Sequence, residues 1–195
     1  MRRALLLAVV GAVLVVAFAG VALAAVITCP STGGPCFGTS EPDQITGSDQ
    51  ADQISARGGA DVVRAGAGAD ELHGDRGDDD LFGETGNDTY FGENGSDTLT
   101  EDADNPSNDE MSGGKNNDDL NAGGGSDPLV SGGPGNDTVV GGPGDDLHRG
   151  GDGDDFIDAR DGTSDSKVSG GAGTDTCLFD PGLDQNIIEC EIQNP

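Results

Sequence analysis

The sequence predicts an all-β fold, a parallel β-solenoid of about fifteen nonapeptide units with disulfide-stapled ends, and three observations predict it. Seven aspartates, Asp43, Asp52, Asp61, Asp70, Asp79, Asp88 and Asp97, stand nine residues apart. Two residues after each comes a large, mostly apolar side chain: Ile45, Ile54, Val63, Leu72, Leu81, Tyr90 and Leu99. Two residues before the later ones stands a glycine, at Gly59, Gly68, Gly77, Gly86 and Gly95. Three residue classes held in one short phase describe a chain that repeats a single structural unit turn after turn.

The chain opens differently. Met1-Arg2-Arg3 leads into an uncharged, mostly apolar stretch that closes on Ala22-Leu23-Ala24. A basic start, an apolar middle and a small-residue exit are the parts of a secretory signal peptide over residues 1–24, cut after Ala24. The rival is an uncleaved anchor, since the stretch is long enough to span a bilayer; with cleavage no membrane span remains. Residues 25–37 are expected to form an N-terminal cap and residues 179–195 a C-terminal one. Cys29 and Cys36 fall before the first repeat, whereas Cys177 and Cys190 close the last. An even cysteine count in an exported chain suggests disulfides. Of the three pairings possible, the local one is favoured, because each pair then brackets a short loop at an end where strand edges need covering. The spacings do not suit a zinc site.

Between the caps, residues 38–178 form the array. In the best register a unit reads G-G-x-G-x-D-x-U-x, with U large and apolar. Good copies run Gly74 to Phe82, Gly83 to Phe91, Gly92 to Thr100, Gly132 to Val140, Gly150 to Asp158 and Gly170 to Leu178. The opening copies around Asp43 and Asp52 keep the aspartate and the isoleucine but lack turn glycines. Asp109 follows Asp97 by twelve residues, which places an insertion after Thr100. Residues 101–108 lack turn glycines and an inward apolar residue, and are expected to be the loosest internal segment. Ser131 reads as one further extra residue, and Asp165 and Asp175 arrive at steps of ten.

Glycine permits the positive φ of tight turns and close backbone approach. The U residue and its neighbours make a strand of about three residues whose alternation points U inward. Two units then complete a coil of 18 residues, about seven coils in all, stacked about 4.8 Å apart. Same-side turns carry Asp43, Asp61, Asp79 and Asp97 on one flank and Asp52, Asp70 and Asp88 on the other. At position eight, His148 and Lys167 break the apolar rule. Either they turn inward at an electrostatic cost, or a bulge brings in Leu147 or Val168.

Composition limits what such a coil can do. Thirty-seven acidic residues oppose nine basic ones, for a net charge of -28, with 35 glycines and no tryptophan. A thick two-layer core is out of reach, and so much like charge resists compaction. Nucleic acid and anionic membranes are poor partners for the same reason. A divalent cation would cancel the repulsion and add the missing stabilisation. Stacked turns offer carboxylates and glycine-freed carbonyls, an all-oxygen donor set that suits calcium better than magnesium or a soft metal.

With these residues in place, the chain resembles the RTX, or haemolysin-type, calcium-binding nonapeptide repeat family from Gly38 to Leu178. The resemblance implies a parallel β-roll in which multiple calcium ions sit between consecutive same-side turns, held by aspartates and main-chain carbonyls. Carried over residue by residue, it implies the ligands Asp61, Asp70, Asp79, Asp88, Asp97, Asp118, Asp137, Asp146, Asp155 and Asp175. The opening copies at Asp43 and Asp52 are doubtful sites. Arg57, Arg64 and Arg76 are candidates to replace a cation locally.

Other chemistries find little support. The helical calcium loop and the phosphate-binding loop do not match, and His73 and His148 stand apart from any triad. Asn87, Asn94 and Asn136 head x-Thr or x-Ser tripeptides, but turn chemistry accounts for them. The expected function is therefore a secreted, non-enzymatic calcium-binding repeat protein with no catalytic residues, whose roll folds as it binds calcium. The alternatives are a structural or adhesive protein of the cell envelope, or a calcium-dependent exported enzyme or toxin.

Overall fold

The computed structural model describes residues 24–102, 105–184 and 186–194. The expected signal peptide therefore lies outside the described residues, except for Ala24. Nineteen short strands make up the fold, and no helix occurs among the described residues. Odd-numbered strands stack in chain order into a ten-stranded sheet, from β1 (Ala25–Thr28) to β19 (Ile192–Asn194). Even-numbered strands stack into a nine-stranded sheet, from β2 (Gly34–Phe37) to β18 (Ile187–Ile188). Every pairing is parallel. The chain thus alternates between two facing sheets and advances one strand spacing per circuit: the predicted parallel β-solenoid.

The count of about fifteen units and seven coils needs correction, because the coil continues through both end segments. The strands β1, β2, β18 and β19 lie outside the aspartate repeats yet pair in register with their neighbours, giving about nine turns. Their alternation suffices without the glycine-aspartate signature: Ala25 and Ile27 face in while Val26 faces out. Both end loops are closed by the local disulfides, Cys29–Cys36 and Cys177–Cys190.

Three positions of each unit face inward, spaced two apart as strand geometry requires. They are the aspartate, the U residue and the first residue of the next unit, as in Asp79, Leu81 and Gly83. The U residues form two ladders. One runs Ile45, Val63, Leu81, Leu99, Leu120, Val139, Ile157 and Cys177. The other runs Ile54, Leu72, Tyr90, Met111, Val130, His148, Val168 and Ile187. The interior is so thin that the first position must be small. A Cβ on Gly83 would lie 2.5 Å from Asp88 Oδ2 and 2.2 Å from the Tyr90 hydroxyl.

The irregular copies resolve individually. Val168 does turn inward and Lys167 does not, because Ser166 adds a residue between Asp165 and the strand. Pro128 does the same for Val130, so the extra residue lies before the strand and not at Ser131, which pairs with Ser112. No bulge rescues the remaining unit, and His148 itself is fully buried. The insertion after Thr100 also carries an inward group of its own. Glu101 occupies the small first position, buried, with Asn105 donating to it and to the Glu84 carbonyl.

Candidate metal centres

The aspartates do not hang in loose turns. Asp43 and Asp52 start strands and the others lie one or two residues before one, and all fifteen repeat aspartates from Asp43 to Asp175 are buried. Their carboxylates stack as two ladders. On one flank the backbone N–H of Asp43 donates to Asp61 Oδ1, that of Asp61 to Asp79, and so on through Asp97, Asp118, Asp137, Asp155 and Asp175, at 2.6–2.9 Å. On the other, Asp52, Asp70, Asp88, Asp109, Asp127, Asp146 and Asp165 are linked in the same way at 2.7–3.0 Å. The ladders end on Glu191 and Asp184 of the C-terminal segment. The two flanks expected from the 18-residue coil are both present.

This ladder uses half of each carboxylate. The other oxygen, Oδ2, is buried and has no hydrogen-bond partner in Asp61, Asp70, Asp79, Asp88, Asp97, Asp118, Asp127, Asp137, Asp146, Asp155, Asp165 and Asp175. Asp52 has an orphaned Oδ1. A buried acceptor with no donor is costly, and a file of them one coil apart is costlier. The physical consequence is a raised pKa. Burial lifts Asp79, Asp88, Asp118, Asp127 and Asp146 from 3.8 to about 7, against the lowering effect of the ladder N–H. Asp61, Asp97 and Asp155 reach about 6 and Asp165 about 8 by the same cause.

A hard cation fits this donor set. The oxygens are anionic, lack donors and repeat from coil to coil, and the turns beside them are pressed close. A Cβ on Gly77 would fall 1.3 Å from the Gly59 carbonyl oxygen, and one on Gly86 would fall 1.4 Å from that of Gly68. Those glycines also hold φ of 127° and 138°, a backbone that glycine adopts without strain. The second turn position is left-handed too, even where it is Arg57, Asp75, Glu84 or Glu93. Beside the aspartate ladder runs a second one at the fifth position. Asn87 Oδ1 accepts from Asn108 N, Asn117 from Asn136 N, and Asn136 from Asp154 N. That ladder explains the recurring Asn and Asp of the turns.

The ten ligands implied by the sequence are therefore placed alike, each buried with one free oxygen. Asp127 and Asp165 share that arrangement, although their copies are poorer in sequence. Asp43 does not. Thr39 N and Oγ1 and Ala25 N saturate its carboxylate, and Ser107 Oγ takes the free oxygen of Asp109. Two groupings add other residues. Glu101 lies with Asp88 and Asp109, and His148 with Asp146 and Asp165, the ligand atoms in each group within 4.8 Å of one another. Arg57 Nη1 donates to the Gly38 carbonyl at 3.0 Å, in the turn nearest Asp43. Arg64 instead lies on the outer sheet face over Phe82 and beside Glu84.

The sequence profile described as RTX calcium-binding nonapeptide repeat matches the chain in four copies, over residues 37–72, 64–99, 104–127 and 131–164. No curated protein matches the chain.

Proposed function

The chain belongs to the RTX calcium-binding nonapeptide repeat family, and from that premise we propose that it is an exported, non-enzymatic protein whose β-roll folds on binding multiple calcium ions. The observation that carries the reading is the file of buried, donorless carboxylate oxygens along both flanks. Calcium would supply the positive charge and the appetite for oxygen ligands that these atoms lack. The ligands assigned are Asp61, Asp70, Asp79, Asp88, Asp97, Asp118, Asp137, Asp146, Asp155 and Asp175, with Asp127 and Asp165 added on the same geometry. Each carboxylate bridges two coils, its Oδ1 holding the neighbouring backbone, so occupancy of one site orders the next. Sites of this open, turn-built type are expected near the affinities of extracellular modules, ~10⁻⁴–10⁻³ M.

Export is supported by the basic and apolar start of the chain and by two disulfides, which persist in oxidising surroundings. On this reading the chain stays extended at cytosolic calcium and folds outside. Titrating the calcium-free protein with calcium, followed by circular dichroism and calorimetry, tests the proposal. Expected is a cooperative gain of β-structure with uptake of several ions per chain. Full β-structure in excess chelator, with no rise in melting temperature on adding calcium, would overturn it.

A further inference from the structure

One coil carries the only inward-facing imidazole among the described residues. Where the neighbouring units place an aliphatic side chain, β14 (Leu147–Asp152) places His148. Its side chain is 0% exposed, and neither ring nitrogen has a hydrogen-bond partner. Nδ1 faces Asp165 Oδ2 at 3.9 Å, beyond hydrogen-bonding distance. Asp165 Oδ2 and Asp146 Oδ2 are themselves buried and unpartnered. Three orphaned polar groups from two successive coils therefore converge on one interior point. Gly141 leaves room for two of these groups, since a Cβ there would fall 2.0 Å from His148 Nε2 and 2.7 Å from Asp146 Oδ2.

A hydrophobic residue would satisfy this position in the fold, as Val130 and Val168 do on either side in the ladder. An unpaired imidazole costs free energy there, and calcium offers it nothing, because calcium takes oxygen ligands. A first-row transition metal accepts both the ring nitrogen and the carboxylates. We propose that Asp146, His148 and Asp165 form one buried site for a divalent transition metal of the zinc class, distinct in ligand chemistry from the calcium sites along the flanks. The neutral ring supplies one nitrogen, and the two carboxylates supply the charge that balances the ion. The site draws two ligands, Asp146 and His148, from one coil and the third, Asp165, from the next, so its occupancy clamps the C-terminal third of the roll. The proposal uses two aspartates that the calcium reading also claims, so it makes this position the one where the two ions compete.

The remaining imidazole allows a clean test. His73 is partly exposed on the outer face, with its nitrogens 3.0 Å and 3.1 Å from Glu71 and Glu93. A His73→Gln protein therefore leaves only the interior histidine. This protein is refolded from chelator with cobalt(II) present, then held in excess calcium. Expected is retention of one cobalt per chain with visible d–d absorption, displaced by one equivalent of zinc. His148→Gln in the same background should lose that equivalent and the absorption, while its calcium-induced circular dichroism persists. X-ray absorption of the zinc-loaded His73→Gln protein, which requires no change at the site, should count one imidazole ligand. Absence of retained metal in the His73→Gln protein, equal retention after His148→Gln, or a zinc shell of oxygen alone would each overturn the assignment. Failure of the calcium reading shows separately, as β-structure indifferent to calcium, and does not affect the metal count.

Discussion

Removing calcium should unfold this protein at neutral pH and acid should partly restore it, a direction opposite to ordinary acid denaturation. The perturbation acts on the buried aspartates. A carboxyl lifted from 3.8 to about 7, as in Asp79, Asp88, Asp118, Asp127 and Asp146, costs the folded chain about 4 kcal/mol at pH 7. Three or four such groups already equal the whole ~5–15 kcal/mol by which domains are usually stable. The sign follows from proton linkage. In the folded, calcium-free chain these carboxyls keep protons that the unfolded chain gives up. Stability is therefore fully present below the unfolded value of about 4 and is lost as pH rises through the folded values, about 6 to 8. With calcium present the direction reverses, since protons compete with the ion and apparent affinity should fall below about pH 6.

The assay is far-ultraviolet circular dichroism and thermal melting of the chain from Ala25 onward, in excess chelator, from pH 3 to pH 8. A parallel series in millimolar calcium completes it. Expected in chelator is β-structure near pH 4 that disappears by about pH 7, and in calcium a β-signal that persists at pH 7. A chelated protein equally folded at pH 4 and pH 7 would refute the argument, because buried carboxylates without a cation would then be carrying their charge at no cost.

Three further outcomes follow from particular residues. Asp79→Ala should reduce the calcium bound at saturation by about one or two ions per chain. Asp43→Ala should leave that number unchanged and lower the melting temperature instead, because its carboxylate is already filled by Thr39 and Ala25; calorimetric stoichiometry separates the two. Gly77→Ala meets the Gly59 carbonyl at 1.3 Å and should cost more than ~3 kcal/mol, whereas Gly162→Ala, at φ 83° in open space, should cost only about 1 kcal/mol. Chemical denaturation in calcium compares them. Replacing Cys177 and Cys190 together by Ser opens a bridge of sequence separation 13 and should cost about 3 kcal/mol in calcium; a change below ~1 kcal/mol would mean that the C-terminal strands hold without it.

Much of this was legible because a period of nine fixes two things at once, the inward residue and the flank on which each aspartate lies. Ile45 over Val63 over Leu81, and Asp61 over Asp79 over Asp97, follow from an 18-residue coil and nothing more. What the period could not reveal lies where spacing and side-chain direction part company. Ser166 and Pro128 each shift the alternation by one residue, so Val168 and Val130 face in although they sit three places after their aspartates. His148 keeps the regular spacing and is carried inward by register despite its polarity. Glu101 reads as loop because residues 101–108 lack turn glycines and an inward apolar residue, yet its position in the unit is the small inward one. Tyr90 gives the reason: its hydroxyl donates to Glu101 Oε2 at 2.7 Å and accepts from Gly83 N at 2.8 Å. A tyrosine at the U position was the available signal that some polar group had to meet it across the interior.

The ends of the roll follow the same logic. Without Asp184 and Glu191 the last aspartates of each flank would lose the Oδ–N–H link that every other coil has. Both residues lie in the segment with no repeat signature, and they accept from Asp165 N at 3.1 Å and Asp175 N at 2.8 Å. A carboxylate is needed there to receive a backbone donor. The aspartate serves the coil before it through Oδ1 and faces the interior through Oδ2, while the turn glycine leaves room for a carbonyl of the coil before it, as Gly77 does for Gly59. The disulfide at Cys190 ties the segment that carries Glu191 to Cys177. On the proposed function the same atoms would join folding to ion uptake: Oδ1 would link coil to coil only if Oδ2 is provided for, and a cation between the turns would provide for it.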